Sequence, residues 1–292
     1  MVHNCPAVSD AARKIPAAEI DWVVEAPFAG IAAMHPAVRR VIPVRLREWR
    51  RRWWRGGTWR ELARFRKTLQ AERYDAVVDT QSLLKSALVA SWALGPRHGM
   101  DRASAREPLA ARFYDRTHAV PRAAHAVERN RALTALALGY EVDGAPDYGL
   151  AGVDSEGEER YAVLLTMTSR DDKLWPEERW IETARALGMR AVLPWGSEAE
   201  RARATRIASA ISGEVAPRMT LEQLARLFAR AQAVIGVDTG LTHLAAAVGA
   251  RTVGIYCGSD PALTGIYGAL RATNVGALGR APQVAEVLRA LA

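Results

Sequence analysis

The chain is poor in cysteine and lacks long apolar runs, and each of these shortages excludes some classes of protein. Only Cys5 and Cys257 occur among the 292 residues, in no metal-binding spacing and with no disulfide framework. No apolar run approaches the ~20 residues that a membrane-spanning helix needs. The stretch Met1–Ala12 lacks the charged start and apolar core of a signal peptide. We therefore expect a protein of a reducing compartment, the cytoplasm.

Motifs of several familiar enzyme classes are missing as well. No G-x-G-x-x-G follows a predicted strand, and no G-x-x-x-x-G-K-S/T occurs anywhere in the chain. These absences disfavour a dinucleotide oxidoreductase and a P-loop enzyme. The G-x-S-x-G turn of the α/β-hydrolases is also lacking.

What the chain does carry is a surplus of positive charge. Its 40 Lys and Arg residues outnumber its 32 Asp and Glu residues, which gives a net charge of +8 and a sequence pI near 9.9. Such a charge favours acidic partners, namely nucleic acid, anionic lipid or phosphorylated small molecules. Arginine supplies most of it, and the forked guanidinium suits phosphate and carboxylate groups.

Length and the alternation of apolar runs predict an α/β protein of two domains. The second half alternates strands and helices most regularly, which is typical of a parallel, doubly wound sheet. The acidic, glycine-containing stretch 141–159 is the predicted linker, so we divide the chain into domains 1–150 and 151–292. The predicted elements of the second domain are strands 161–167, 190–194, 214–216, 233–237 and 252–256, with helices 176–187, 198–211, 221–230, 241–248 and 282–291.

The first half begins in an unusual order. A helix predicted at Pro6–Lys14 precedes the first predicted strand, Ile20–Glu25, although a helix that packs on a parallel sheet normally follows a strand. Either this helix starts the fold or a preceding strand is missing. Asp79 and Gln81 follow another predicted strand, at the edge where open α/β sheets bind ligands, and Lys85 faces either that edge or solvent. Further elements are predicted as strands 41–46 and 74–80 and helices 59–71, 83–94 and 125–139.

Arg45–Lys67 is a basic stretch interleaved with tryptophan. It holds nine arginines and one lysine, and Gly56–Gly57 is expected to break the run. Basic residues with aromatics are typical of nucleic-acid binding and equally of an anionic membrane face. The third reading is a solvated helix whose tryptophans tuck inward. The tryptophans concerned are Trp49, Trp53, Trp54 and Trp59.

Ala233–Gly249 predicts a buried strand, a tight turn and a helix. Such a turn leaves backbone N–H groups at the helix start, where the helix dipole favours an anion such as phosphate. Thr239 can add a hydroxyl donor, and His243 lies one turn into the helix. The alternative is that Asp238 merely caps the helix and His243 is an ordinary half-buried histidine.

Thr168–Trp175 forms a second polar loop between a predicted strand and a predicted helix. Two hydroxyls and Lys173 make a plausible phosphate clamp there. Asp171 and Asp172 suggest either a metal site or a helix cap, and we favour the cap because no other carboxylate or histidine lies at a useful spacing.

These same segments carry a resemblance to a known family. T-S-R-D-D-K-L-W-P-E-E, P-R-M-T-L and V-D-T-G-L-T-H-L-A-A-A resemble the bacterial ADP-heptose:lipopolysaccharide heptosyltransferases. In the first half, I-D-W-V-V-E, D-T-Q-S-L-L-K-S, H-G-M-D and A-R-E-P-L-A are most similar to the heptosyltransferase I type. The resemblance runs in order over nearly the whole chain. It implies a GT-B fold, two Rossmann-like domains facing a cleft, with a last helix that packs back on the first domain.

The resemblance also implies where the donor, ADP-heptose, binds. Its phosphates and sugar would contact the polar loops of the second half, Glu200 would contact the nucleoside and Met219 would line the adenine pocket. Ser169 stands where the family often has threonine, and its hydroxyl preserves the role. Neither a cofactor nor a metal is implied, because lysine and the helix dipole offset the charge of the leaving diphosphate. The implied donor-binding residues are Thr168, Ser169, Lys173, Glu200, Met219, Asp238, Thr239, Gly240 and His243.

The implied acceptor is Kdo2-lipid A, which is anionic and embedded in a membrane. The enzyme would therefore work as a peripheral protein at the anionic, cytoplasmic face of the inner membrane, and no nucleic-acid partner is expected. The resemblance gives the basic stretch a purpose, which is to hold carboxylates and phosphates. The expected acceptor-binding residues are Arg47, Arg50, Arg60, Arg64, Lys67, Asp79, Gln81, Lys85 and Arg106.

The front of the chain departs from the family's pattern. There a first strand ends in a Gly-Asp turn, followed by residues like Val2–Pro6, and that Asp is the expected base for the attacking Kdo hydroxyl. Here the turn would lie before Met1, so no catalytic residue is assigned, and Asp79 is a weak substitute. We expect a truncated chain that keeps donor binding and loses most transfer, since a positioned base contributes typically ~10²–10⁴-fold. The alternative is a non-catalytic protein that binds nucleotide sugars or polyanions.

Overall fold

The computed structural model describes residues 1–150 and 159–291. The chain forms two compact α/β units, which divide between Asp147 and Tyr148. The predicted linker 141–159 and the start of the predicted second domain extend into residues 151–158, which lie outside the described residues.

The first unit contains parallel strands in two separate sheets, one formed by β1 and β2 and the other in the order β3-β4-β5. Its strands are β1 (Ile20–Glu25), β2 (Val38–Val44), β3 (Val77–Asp79), β4 (Arg97–Met100) and β5 (Arg116–His118). Its α-helices are α1 (Cys5–Lys14), α2 (Ala29–Ala33), α3 (Leu46–Arg51), α4 (Gly56–Leu69), α5 (Leu84–Ala90) and α6 (Ala126–Leu138).

Helix α1 packs against α6 around a buried ion pair. Arg131 of α6 donates from Nε to Oδ2 of Asp10 in α1, at 2.7 Å, and each side chain is only 3% exposed. The same guanidinium donates to the carbonyls of Asp143 and Gly144, so it also fixes the chain beyond α6. Because a buried charge without partners is costly, this arginine holds the first helix in place.

The second unit is built on one parallel sheet, which within residues 159–291 has the strand order β11-β10-β9-β6-β7-β8. Its strands are β6 (Glu159–Leu165), β7 (Arg190–Leu193), β8 (Glu214–Val215), β9 (Ala231–Val237), β10 (Thr252–Tyr256) and β11 (Ala272–Gly276). Its α-helices are α7 (Glu177–Leu187), α8 (Glu198–Ile211), α9 (Leu221–Arg230), α10 (Gly240–Ala247), α11 (Pro261–Thr264) and α12 (Val284–Leu291).

The burial pattern of this sheet explains its parallel arrangement. β10 is buried along its whole length and β9 along nearly all of it, as expected of strands covered by helices on both faces. Helix α9 buries the apolar stripe Leu224, Ala225 and Phe228. Capping boxes at Ser197 and Thr220 fix the starts of α8 and α9, since each hydroxyl accepts a backbone N–H three residues on.

The predicted α/β alternation with a parallel sheet is confirmed, and the bounds of α8, α9, β1 and β10 agree with prediction. The basic stretch is interrupted between α3 and α4, but the break lies at residues 52–55, and Gly56–Gly57 form the first two residues of α4. Strands β4, β5 and β11 were not predicted, since they are short and rich in polar residues. Among the described residues, no helix combines the length and the apolarity needed to cross a membrane.

Candidate functional site

The candidate site lies at the carboxyl ends of the central strands of the second unit. From β6 the chain continues outward through β7 and β8, whereas β9, adjacent to β6 on its other side, leads outward through β10 and β11. Such a switch point in strand order creates a crevice, which is where open α/β sheets bind ligands. The polar loops 168–173, 238–243 and 258–259 follow β6, β9 and β10, so the fold brings them to this one edge.

The turn from β9 into α10 is shaped by close packing. A Cβ on Gly236 would lie 2.2 Å from Oγ1 of Thr242, so only glycine lets the helix approach the strand this closely. The Thr242 hydroxyl in turn donates to the Val237 carbonyl at 2.6 Å. Thr239 occupies the N-cap position, but its side chain accepts no hydrogen bond from the helix. The first N–H groups of α10 are therefore not capped by a side chain, which suits an anion.

Asp238 is the centre of the site. Lys173 donates from Nζ to Oδ2 of Asp238 at 2.6 Å, and the Ser259 hydroxyl donates to the same oxygen. Nε2 of His243 lies 3.5 Å from Oδ1, and the Thr168 hydroxyl donates to the main-chain carbonyl of Asp238 at 2.9 Å. The N-cap of α10 is Thr239. The alternative that Asp238 merely caps the helix is therefore wrong.

The electrostatics of this cluster keep Asp238 ionised. Burial by itself raises the pKa of the Asp238 carboxyl, since the side chain is only 8% exposed. Hydrogen bonds from His243, Lys173 and Ser259, with the lysine charge, outweigh burial and bring this pKa well below its usual range. The carboxylate is thus a fixed acceptor for hydroxyl groups, held beside a lysine and a helix N-terminus that suit phosphate.

The loop that carries Lys173 is anchored on both sides. Trp175 is fully buried and donates from Nε1 to the carbonyl of Pro282 at 3.0 Å. On the other side, a Cβ on Gly258 would lie 2.5 Å from the carbonyl oxygen of Asp172, so these loops are in close contact. The Asp172 carboxylate accepts hydrogen bonds from the exposed Arg170, while Asp171 begins a short 3₁₀ turn ending at Lys173.

The residues predicted for the nucleoside lie on neighbouring elements of the same unit. Glu200 accepts hydrogen bonds from the backbone N–H groups of Gly196 and Ser197 through Oε2, and so completes the capping box of α8. Met219 is half-buried and directly precedes Thr220, the N-cap of α9. Ser169 is exposed. The binding roles of Glu200, Met219 and Ser169 remain predictions.

In the first unit, Asp79 ends β3 and is saturated with hydrogen bonds. Its Oδ2 accepts from the hydroxyls of Tyr114 and Ser86, both at 2.7 Å. Its Oδ1 accepts from the backbone N–H groups of Gln81 and Ser82. Burial raises the pKa of Asp79, and these four donors oppose that rise. The carboxylate therefore organises the loop on which the exposed Gln81 and Lys85 are placed.

Sequence reasoning found Arg106 but missed two arginines that lie near it. Arg129 donates to the Ser104 carbonyl at 2.6 Å, and Arg122 donates to the Ala105 carbonyl at 2.9 Å. Burial lowers the pKa of Arg129, and the charges of Arg122 and Arg106 lower it further. No carboxylate lies within salt-bridge distance of these arginines in the described part of the chain. The sequence does not indicate this cluster, because Arg122 and Arg129 are far from Arg106 along the chain. They approach it only through their hydrogen bonds to the loop after β4.

The basic stretch Arg45–Lys67 forms α3, a turn and α4. The reading in which its tryptophans tuck inward is correct only for Trp49, which is buried. Trp53, Trp54 and Trp59 remain 63%, 65% and 59% exposed. The predicted acceptor residues of this stretch are also exposed at the surface: Arg47, Arg50, Arg60, Arg64 and Lys67.

Comparison with known proteins agrees with this geometry. Residues 62–290 match the family model described as "Glycosyltransferase family 9 (heptosyltransferase)". The chain is 47% identical to lipopolysaccharide heptosyltransferase 1 of Escherichia coli K12, over 92% of this chain and 87% of that protein. It is 46% identical to the Pseudomonas aeruginosa enzyme of the same name, over 92% of this chain and 78% of that protein. The solved structure of the E. coli heptosyltransferase WaaC with ADP superposes with a TM-score of 0.90 at 44% identity, covering 99% of this chain and 94% of that one. The chain therefore belongs to glycosyltransferase family 9, the heptosyltransferases.

Proposed function

We propose that the chain transfers L-glycero-D-manno-heptose from ADP-heptose to the Kdo of Kdo2-lipid A, with inversion at the anomeric carbon. The observation that carries this proposal is the Asp238 cluster, in which a buried carboxylate, a lysine and an open helix N-terminus meet at a strand switch point. The relatives support it, since one of them was solved with ADP and with ADP-2-deoxy-2-fluoro heptose. The step belongs to lipopolysaccharide inner-core synthesis.

The donor's diphosphate is assigned to the start of α10. The N–H groups at Thr239 and Gly240 would donate to phosphate oxygens, with His243 one turn further into the helix. Lys173 would place its charge against the diphosphate, where negative charge grows as ADP leaves. Asp238, as an acceptor, would orient the heptose hydroxyls, and the hydroxyls of Thr168 and Ser169 would complete the loop contacts. Glu200 and Met219 would flank the nucleoside.

The acceptor's negative groups are assigned to arginines of the first unit. Two arginines, Arg106 and Arg122, lie close enough to Arg129 to lower its pKa further than burial does. An added anion would relieve the mutual repulsion of the three. A carboxylate such as that of Kdo matches the guanidinium fork, which can donate two parallel hydrogen bonds. The exposed cations of α3 and α4 would meet the phosphates of lipid A at the cytoplasmic face of the inner membrane.

Transfer then needs an attack in line with the departing diphosphate. The Kdo hydroxyl would bond to the anomeric carbon as the bond from that carbon to the ADP oxygen breaks, and the hydroxyl proton would pass to a base. Asp79 is not assigned this role, because both of its carboxylate oxygens already accept hydrogen bonds within the fold. The chain's own contribution in this proposal is to bind, orient and stabilise charge at the leaving group.

A transfer assay tests the proposal. The protein is mixed with ADP-heptose and detergent-solubilised Kdo2-lipid A, and mass spectrometry follows the gain of one heptose by the acceptor. Calorimetric titration with ADP-heptose alone measures donor binding separately. Tight binding without any product would favour the alternative of a non-catalytic nucleotide-sugar-binding protein. If ADP-heptose does not bind, the proposed function is wrong.

Ser259 supplies a second prediction, as a positioning residue. Its hydroxyl donates to the same Asp238 oxygen as Lys173, so Ser259→Ala leaves that oxygen held by Lys173 alone and fixes its orientation toward the sugar less firmly. We expect kcat/KM for ADP-heptose to fall by roughly tenfold, the usual effect of losing one hydrogen bond to a charged group. Ser259→Thr, which keeps the hydroxyl, is expected to restore most of the activity. Equal activity in the alanine and threonine variants would contradict this role.

A further inference from the structure

The positive charge of the chain is concentrated in Arg45–Lys67. This segment has ten cationic residues and two acids, Glu48 and Glu61, so it carries the same +8 as the whole chain. All other residues together have thirty cationic and thirty acidic side chains. The protein is therefore basic only through one short surface segment, which indicates a localised anionic partner.

This segment is held firmly to the fold by its inner face. Trp49 of α3 and Phe65 and Leu69 of α4 are buried in one hydrophobic cluster with Ile42 and Val44 of β2. The rings of Trp49 and Phe65 pack edge to face with centroids 5.4 Å apart, and Trp49 donates from Nε1 to the Glu61 carboxylate at 3.0 Å. The outer side chains are therefore presented from a fixed platform.

The tip of this segment, meaning the turn between α3 and α4 with the first turn of α4, carries aromatic side chains. Trp53 and Trp54 lie in the turn between α3 and α4, and Trp59 lies in the first turn of α4. Each indole keeps about three-fifths of its surface exposed, although large aromatic side chains are normally buried. Trp53 and Trp54 contact each other edge to face, with centroids 6.2 Å apart. Three indoles exposed within the short span 53–59 leave apolar surface of the kind that marks a binding site.

The cations around this tip are almost all without acidic partners. Of the ten, only Arg45 lies within salt-bridge distance of a carboxylate in the described residues, that of Glu48 at 3.6 Å. The others are exposed and have no such neighbour. Indole rings amid unpaired arginines match the interface of an anionic bilayer, where tryptophan settles at headgroup level and cations meet lipid phosphates.

We propose that the α3–α4 turn docks the protein on an acidic phospholipid bilayer by inserting Trp53, Trp54 and Trp59 at headgroup depth. This rests on the proposed function in one respect, namely that the acceptor is a membrane lipid. Single-stranded nucleic acid also combines stacking with phosphate. The bilayer is favoured because exposed indoles and unpaired cations adjoin in one short segment, as they do at a headgroup interface, and because the proposed acceptor is itself a membrane lipid.

The test uses vesicles and two tryptophan sets. Wild type is expected to co-sediment with vesicles of phosphatidylglycerol mixed with phosphatidylcholine, and not with phosphatidylcholine alone. The variant Trp53→Ser/Trp54→Ser/Trp59→Ser is expected to bind the acidic vesicles roughly tenfold or more weakly. A matched control, Leu270→Ser/Leu278→Ser, removes two highly exposed apolar side chains of the second unit and should bind like wild type. Bromine-labelled lipid should quench the fluorescence of wild type more than that of the triple variant.

Several results would overturn the docking proposal. These are no wild-type binding to acidic vesicles, equal binding by the triple variant, or preference for single-stranded RNA over vesicles in competition. The variant Arg51→Gln/Arg52→Gln/Arg55→Gln distinguishes electrostatic attraction from insertion of the indoles. It should weaken vesicle binding, while bromine-labelled lipid still quenches the tryptophan fluorescence of the protein that remains bound. If the quenching were lost with charge alone, the indoles would not be inserted.

Failure of docking and failure of the proposed transfer remain distinguishable. On detergent-solubilised acceptor the triple tryptophan variant should transfer heptose within about twofold of wild type, because none of the three tryptophans is among the residues assigned to donor or acceptor binding. On vesicle-embedded acceptor it should be roughly tenfold slower. Vesicle binding without transfer to either form of the acceptor would contradict the proposed function but still support the docking proposal.

Discussion

Replacing Lys173 with methionine is expected to lower kcat/KM for heptose transfer by roughly 10²–10³-fold, the usual effect of removing one group that stabilises charge in a transition state. The lysine Nζ lies 2.6 Å from Asp238 and its side chain is 18% exposed, so its charge is poorly screened by water. Without the lysine, the negative charge that grows on the departing diphosphate would face the buried Asp238 carboxylate with no Lys173 cation to offset it. Only Ser259 and His243 would still contact that carboxylate through their side chains.

Arg170→Met is the matched control for this prediction. Arg170 lies in the same loop, but its side chain is 59% exposed and pairs with Asp172 rather than Asp238. We expect it to transfer heptose at close to the wild-type rate. Initial rates over a range of ADP-heptose concentrations separate kcat from KM in both variants. A Lys173→Met enzyme that keeps its kcat and changes only KM would contradict a role at the leaving group.

Arg131→Met is expected to destabilise the first unit by about 3–5 kcal/mol, because it leaves Asp10 as a buried, uncompensated charge. Both side chains of this pair are 3% exposed, and Arg131 also supports two main-chain carbonyls beyond α6. Chemical denaturation should show the loss in the midpoint of the transition that reports on the first unit. The second unit, which lacks this pair, should keep its stability.

A neighbouring arginine provides the comparison. Arg13 also contacts Asp10, at 3.1 Å, but its side chain is 52% exposed. Arg13→Met should therefore cost little stability, since water screens exposed pairs. The double variant Asp10→Asn/Arg131→Met should recover part of the loss, because it no longer buries an unpaired charge. If Arg13→Met and Arg131→Met were equally destabilising, burial would not be the source of the effect.

Much of the second unit can be predicted from its sequence. The strands β9 and β10 are apolar runs bounded by polar residues, and α8 and α9 begin at hydroxyl-containing caps. Since polar loops follow these strands, the edge that gathers Lys173, Asp238 and His243 is also predictable once the sheet is taken as parallel. The short strands β4, β5 and β11 carry no comparable signal, because polar and small residues interrupt their alternation.

The contacts inside the site are harder to predict than its location. Ser259 reaches Asp238 only because β10 lies directly beside β9, and strand order is not written in any local pattern. Arg122 and Arg129 meet near Arg106 through the carbonyls of one loop, so their closeness depends on tertiary structure. Local spacing likewise left Asp238 ambiguous between a helix cap and a ligand, and only its contacts with Lys173 and Ser259 separate the two.

The concentration of positive charge between Arg45 and Lys67 affects how the protein approaches a charged surface. A net charge of +8 describes the sum, but the remainder of the chain is balanced. The net positive charge thus lies in one surface segment rather than being spread evenly along the chain. In the field of a charged surface the protein experiences a torque as well as an attraction, so it is turned before it arrives. Its high pI of 9.9 is accordingly due to this one segment.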